Sequence, residues 1–60
     1  MKKNEIEALE KRIGERITIG LLVPHKEYTG NLVGYDGEHF IFDENKSRVY
    51  ISKHIIRFPN

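Results

Sequence analysis

Apolar and polar positions follow two different periods in this chain, and the change falls at Gly14. Before it, Ile6, Leu9 and Ile13 recur at helical spacing, with Glu5, Glu7, Glu10 and Lys11 between them. That is the stripe of a short amphipathic helix over residues 4–13. Asn4 fits the N-cap, with Glu7 three residues later as the partner carboxylate of a capping box. Lys11 and Arg12 fall in the expected last turn, where cations suit the helix dipole, and Gly14 is a natural stop. A helix this short is marginal alone and must lie on something.

After Gly14 the period drops to two. In "RITIGLLV", Ile17, Ile19 and Leu21 alternate with Thr18, Gly20 and Leu22, and Pro24 closes the run, which predicts a first strand over 15–23. "HKE" reads as the connecting loop. "YTGNLVGYD" reads as a second strand over 28–36, with Gly30 and Gly34 marking a tight bend or bulge. Asp36-Gly37 is the strongest hairpin signal and leads into a third strand over 38–44. "NKS" makes the next turn, a fourth strand covers 48–52, and a fifth covers 54–58 before Pro59. Lys53-His54 falls at the joint between the last two. The fold class expected is mainly β with one N-terminal helix: a single domain over 1–60 built on a five-stranded, strongly bent antiparallel barrel of SH3-like size.

Length sharpens this expectation. Sixty residues form a domain that buries only about 60% of its unfolded surface. Small scaffolds gain stability from disulfides, a metal or oligomerisation. The chain has no Cys, and His25, His39 and His54 lack metal-ligand spacing. Oligomerisation is therefore the expected route, with no metal and no cofactor. The opening "MKKNEIEALEKR" lacks the apolar core of a signal peptide, and no run of about 18 apolar residues appears. A cytoplasmic location, with no membrane partner, is expected.

Net charge is +1, but it is unevenly spread. Residues 1–45 carry six Lys or Arg against nine Asp or Glu, whereas 46–60 carry Lys46, Arg48, Lys53 and Arg57 and no acid. This basic closing segment is interleaved with Tyr50 and Phe58, a pattern that suits phosphates and stacked bases. Solvated outer faces of strands account for the same composition. No catalytic constellation accompanies it. The carboxylates show no acid/base spacing, Ser47 and Ser52 lack a nucleophile context, and there is no glycine-rich phosphate loop. The chain does not read as an enzyme.

The order of these pieces resembles the Sm/LSm family, and within it the bacterial Hfq proteins. The stretch "YTGNLVGYDGEHFIF" looks like the first Sm motif, with Gly30 and the aromatic-Asp pair Tyr35-Asp36 at the family's positions. "ISKHIIRF" resembles the Hfq signature, in which Lys and His precede the last strand. The resemblance spans nearly the whole chain. It implies a homo-oligomeric ring of six subunits, in which the fourth strand of one subunit pairs with the fifth of its neighbour. It further implies an RNA chaperone, a post-transcriptional regulator that binds single-stranded RNA and promotes pairing of small RNAs with messenger RNAs.

Carried over residue by residue, the resemblance places Lys53 and His54 at the central pore on the helix-bearing (proximal) face, where U-rich RNA binds. His39 and Gly37 join them. Gly20 aligns with the ring-stacking aromatic of the distal face, where A-rich RNA binds, and Tyr28 is the candidate substitute. Lys11, Arg12 and Arg16 echo the basic rim. Some positions depart from the pattern. Ser52 stands where the signature has an aromatic, Glu38 stands where a base-stacking aromatic is expected, and the chain has no Gln. These departures leave a second expectation open, a divergent Sm ring with weak or lost RNA binding that serves as a protein-interaction scaffold. A third is an unrelated, monomeric SH3-like adaptor.

Overall fold

The computed structural model of the chain describes residues 3–57. Helix α1 (Lys3–Glu10) is followed by β1 (Arg16–Leu21), β2 (Lys26–Tyr35), β3 (His39–Glu44) and β4 (Ser47–Ser52). A single 3-10 turn (Lys53–Ile55) then leads into β5 (Ile56–Arg57). The five strands form one antiparallel sheet in the order β4-β3-β2-β1-β5, curled into a half-barrel. Mainly β with one N-terminal helix is the class expected from the change of period.

The alternation in β1 places its side chains as expected. Ile17, Ile19 and Leu21 are buried, whereas Arg16 and Thr18 are exposed. They join Leu32, Phe40, Phe42, Ile51 and Ile56 in one core, with Leu32, Phe40 and Phe42 fully enclosed. Curling the sheet brings the inward residues of both ends against one another, so a few large side chains fill the interior. From α1, Ile6 and Leu9 pack against this core.

The helix is shorter than its apolar stripe. Lys11 N–H still donates to the Glu7 carbonyl, but Arg12 and Ile13 donate to Leu9 and Glu10, three residues back. This tightening rotates Ile13 off the stripe and leaves it exposed, with Lys11 and Arg12 beyond the helix rather than in its last turn. Asn4 lies inside α1 and not at its N-cap.

The strand bounds shift for similar local reasons. Leu21 pairs with Lys26 and Gly20 with Glu27, so "HKE" is largely strand. The loop is instead Leu22–His25, closed around a cis Val23-Pro24 bond. Leu22 and Val23, expected in the first strand, are exposed. The bend expected in β2 is a register shift between Leu32 and Gly34, which leaves Val33 as the bulged residue. The β3–β4 turn places Asn45 and Lys46 at φ +47° and +69°, the signature of a two-residue type I′ hairpin. The expected end of the last strand at Phe58 and the stop at Pro59 lie outside the described residues.

Candidate functional site

One end of the sheet brings together the β2–β3 hairpin and the corner between β4 and β5. The hairpin is set by Asp36, whose Oδ1 accepts the N–H groups of Glu38 at 2.8 Å and His39 at 2.7 Å. Asp36 N–H in turn donates to the His39 carbonyl. Gly37 and Glu38 therefore form the tip, and Gly37 takes φ +99°, a conformation glycine adopts without steric cost. The two backbone N–H groups hold the Asp36 carboxyl below the ordinary aspartate range, because they bind its charged form.

The corner exists because the chain must leave the β4 edge and reach β1 on the other side. Ser52 starts it, its Oγ accepting the His54 N–H at 3.2 Å. Lys53 and His54 therefore lie in the 3-10 turn, and β5 begins at Ile56 rather than at 54. At the end of the turn, the Ile55 carbonyl accepts the Leu22 N–H at 2.6 Å.

Corner and hairpin are bonded to each other. Lys53 N–H donates to the Glu38 carbonyl at 2.9 Å, and Lys53 Nζ donates to the Gly37 carbonyl at 2.8 Å. The same Gly37 carbonyl accepts the Tyr35 hydroxyl at 3.0 Å, and the Tyr35 ring stacks on Phe40 with centroids 4.3 Å apart. The Glu38 carboxylate lies 3.9 Å from Lys53 Nζ and 3.6 Å from His54 Nε2. Lys53 is mostly enclosed (21% exposed), whereas His54 and Glu38 stand out in solvent at 68% and 65%. Alongside, the His39 ring faces Tyr50 edge-on at 6.2 Å, and its Nδ1 lies 3.4 Å from Asp36.

The four residues expected at the pore, Lys53, His54, His39 and Gly37, are thus neighbours at one end of the sheet. Two further members join them. Glu38 appeared in the sequence only as a mismatch, yet it is the carboxylate that faces both the Lys53 ammonium and the His54 ring. Tyr50 is 56% exposed beside His39; its alternation with the buried Ile51 is the signal that could have marked it.

The other expected pair is not assembled. Tyr28 pairs with Ile19 and packs against the core, its ring edge-on to Phe42 at 5.1 Å. It also lies over Gly30, where a Cβ would sit 2.9 Å from its Cε2. Gly20 alternates with the buried Ile19 and Leu21 and so faces the other side of the sheet. There the Arg57 guanidinium crosses it, reaching His25 Nε2. Gly20 also borders an open groove of about 460 Å³ shared with Leu9 and Arg12 from the helix end and with Ile56 and Arg57. Strand alternation is the reason the pair is split: residues in register on neighbouring strands share a face, and Gly20 is in register with Glu27, not Tyr28.

Of the rim candidates, Arg12 is paired with Glu15 at 2.6 Å, Lys11 follows the helix, and Arg16 opens β1 opposite Asn31. The Tyr28 hydroxyl is buried without a hydrogen-bond partner among the described residues. Burial, with the Glu44 carboxylate acting on it, pushes its pKa above the ordinary tyrosine value. Glu44 is felt electrostatically and does not reach hydrogen-bonding geometry.

Among the described residues no group of three His, Asp or Glu side chains is placed to hold a metal ion, and no helix is long and apolar enough to cross a membrane. What the cluster offers chemically is fixed charge and hydrogen bonding at a solvent-facing surface. Comparison of the chain with known protein families, curated proteins and solved structures gives no match.

Proposed function

We propose that the chain is the subunit of an Hfq-like homo-oligomeric ring of six copies, cytoplasmic, that binds single-stranded RNA and promotes small RNA–messenger RNA pairing. The observation that carries the reading is the Lys53-His54 corner, bonded to the β2–β3 hairpin at the end of the sheet. Its position between β4 and β5 is the one the resemblance assigns to the pore motif. The strand order supports the ring in a second way. Among the described residues β4 and β5 are the two outer strands, so each subunit offers one edge of each kind. Pairing β4 of one copy with β5 of the next would satisfy both and close the ring. Closure would also bury further apolar surface for a chain of 60 residues.

In this assembly six copies of Lys53 and His54 surround one opening and draw RNA phosphates and base edges by charge and hydrogen bonds. The function is binding, and no catalytic step is assigned. Tyr50 offers an exposed ring and His39 a half-buried one beside Lys53 and His54. The distal site loses its support in Tyr28, so A-rich binding is not part of the reading.

A second reading, a protein-interaction scaffold on the same ring, is favoured by Glu38, whose carboxylate offsets the Lys53 charge and faces the His54 ring. Fluorescence anisotropy with U-rich, A-rich and mixed oligonucleotides at several salt concentrations separates the two, alongside sedimentation to size the particle. The proposal expects a ring whose binding collapses in Lys53→Ala and His54→Ala. An intact ring that binds no oligonucleotide leaves the scaffold reading. A monomer overturns the ring.

A further inference from the structure

The position of Glu38 tells which base the cluster suits. Its carboxylate stands 65% exposed between Lys53 Nζ at 3.9 Å and His54 Nε2 at 3.6 Å. Neither distance is a hydrogen bond, so the acceptor sites of the carboxylate remain open to a ligand. Lys53 Nζ is held by one hydrogen bond to the Gly37 carbonyl, which leaves protons to donate. The surface therefore presents a strong acceptor beside a strong donor, both anchored to one hairpin.

A phosphate is repelled by the acceptor half of this pair, whereas a base edge is not. Each base meets the pair differently. Uracil offers a single N–H between two carbonyls. Adenine and cytosine offer one amino group beside a ring-nitrogen acceptor. Guanine alone offers two adjacent donors, N1–H and the N2 amino group, next to the O6 acceptor. The two donors match the two oxygens of a carboxylate, and O6 matches an ammonium.

We infer that Glu38 and Lys53 form a guanine-reading pair, Glu38 accepting from N1–H and N2–H and Lys53 donating to O6. This chain then selects guanine-containing single-stranded RNA where the resemblance alone implies uridine. The inference rests on the RNA-binding reading above and deepens it. The His54 ring serves the flanking phosphates by hydrogen bonding. A bidentate side-chain contact to a base discriminates by about tenfold or more.

The test is anisotropy with short, unstructured, labelled RNA oligonucleotides of U-rich context. Each carries guanine, inosine, adenine or uracil at the same isolated positions. The wild-type chain is expected to bind the guanine oligonucleotide about tenfold or more tighter than the inosine one, which lacks only the N2 amino group. Glu38→Gln is expected to erase that gap and to bind the uracil oligonucleotide more tightly, because a negative charge is gone. Circular dichroism and sedimentation confirm that the variant keeps its fold and size, and the inosine comparison needs no variant at all. Equal affinities for guanine and inosine overturn the base assignment while leaving RNA binding in place. So does a preference that survives Glu38→Gln. Failure of every oligonucleotide to bind overturns both.

Discussion

The hairpin bond that Lys53 makes can be separated from its proposed RNA contact by comparing it with Tyr35. Both donate to the Gly37 carbonyl, Lys53 Nζ at 2.8 Å and the Tyr35 hydroxyl at 3.0 Å. Lys53→Met keeps the stem and removes the ammonium; Tyr35→Phe keeps the ring stacked on Phe40 and removes the hydroxyl. A net intramolecular hydrogen bond contributes about 1 kcal/mol, more when one partner is charged. Lys53 is 21% exposed, so solvent screens part of the charged bonus and both variants should lose about 1 kcal/mol. In a domain of this size that lowers the melting temperature by about 4–8 °C. The double variant should lose less than twice as much if either donor alone keeps the hairpin in place.

On the proposed function, RNA binding should divide the two variants sharply. Lys53→Met removes a cation from every copy, so affinity should fall about tenfold or more and the salt dependence should flatten. Tyr35→Phe loosens the same hairpin without changing charge and should leave both within about twofold. Denaturant or thermal melts followed by circular dichroism, at one fixed protein concentration, measure the first effect. Anisotropy at several salt concentrations measures the second. Equal losses of affinity in the two variants would show that Lys53 acts only by holding the hairpin, and would refute its role as an RNA contact. An unchanged melting temperature in Lys53→Met would refute the structural half.

Other expectations follow from the same geometry. Phe42→Ala should cost about 3–5 kcal/mol, against a total of about 3–9 kcal/mol for a chain of this length, and a circular dichroism melt should show most or all of the cooperative transition lost. Tyr28→Phe should be neutral or stabilising by up to about 1 kcal/mol, since the hydroxyl it removes is buried without a partner among the described residues. The same group fixes a sign at high pH. Its raised pKa means that the folded state holds the proton more tightly, so its contribution is complete below the ordinary tyrosine value and is lost as pH rises through the raised one. Alkaline titration of the melting temperature should fall less steeply in Tyr28→Phe. Asp36 has the opposite sign. Its pKa is lowered, so its contribution is present above the ordinary aspartate range and disappears as pH falls through the lowered value. Asp36→Asn should melt below the wild type at neutral pH, with the two converging in acid; a constant gap across the titration would show that the Asp36 charge is not what the hairpin uses.

Much of the fold is visible in local pattern, because a strand with one buried face must alternate and a helix with one buried stripe must recur every three to four residues. Ile17, Ile19 and Leu21 declare the inward face of β1 in this way. Asp36-Gly37 declares a reversal through its own chemistry, since the aspartate binds the next backbone N–H groups and the glycine takes positive φ. Ile13 misled for a physical reason: spacing alone cannot show that the helix tightens into a 3-10 turn before reaching it. "HKE" misled because charged residues are compatible with the exposed face of a strand as well as with a loop, and only the pairing of Leu21 with Lys26 separates the two.

The chain alone therefore determined the element order, the inward residues of β1, the hairpin at Asp36 and the presence of Lys53-His54 at a joint. These depend on contacts among residues near one another in the chain. Only the tertiary structure decided that this joint is bonded to the neighbouring β2–β3 hairpin, that Glu38 faces both Lys53 and His54, and that Gly20 and Tyr28 lie on opposite faces. Those relations depend on register and on the curl of the sheet, which bring residues 16 positions apart to within hydrogen-bonding distance. One residue of slip in a strand would reverse every one of its side chains, and no local pattern records the relation.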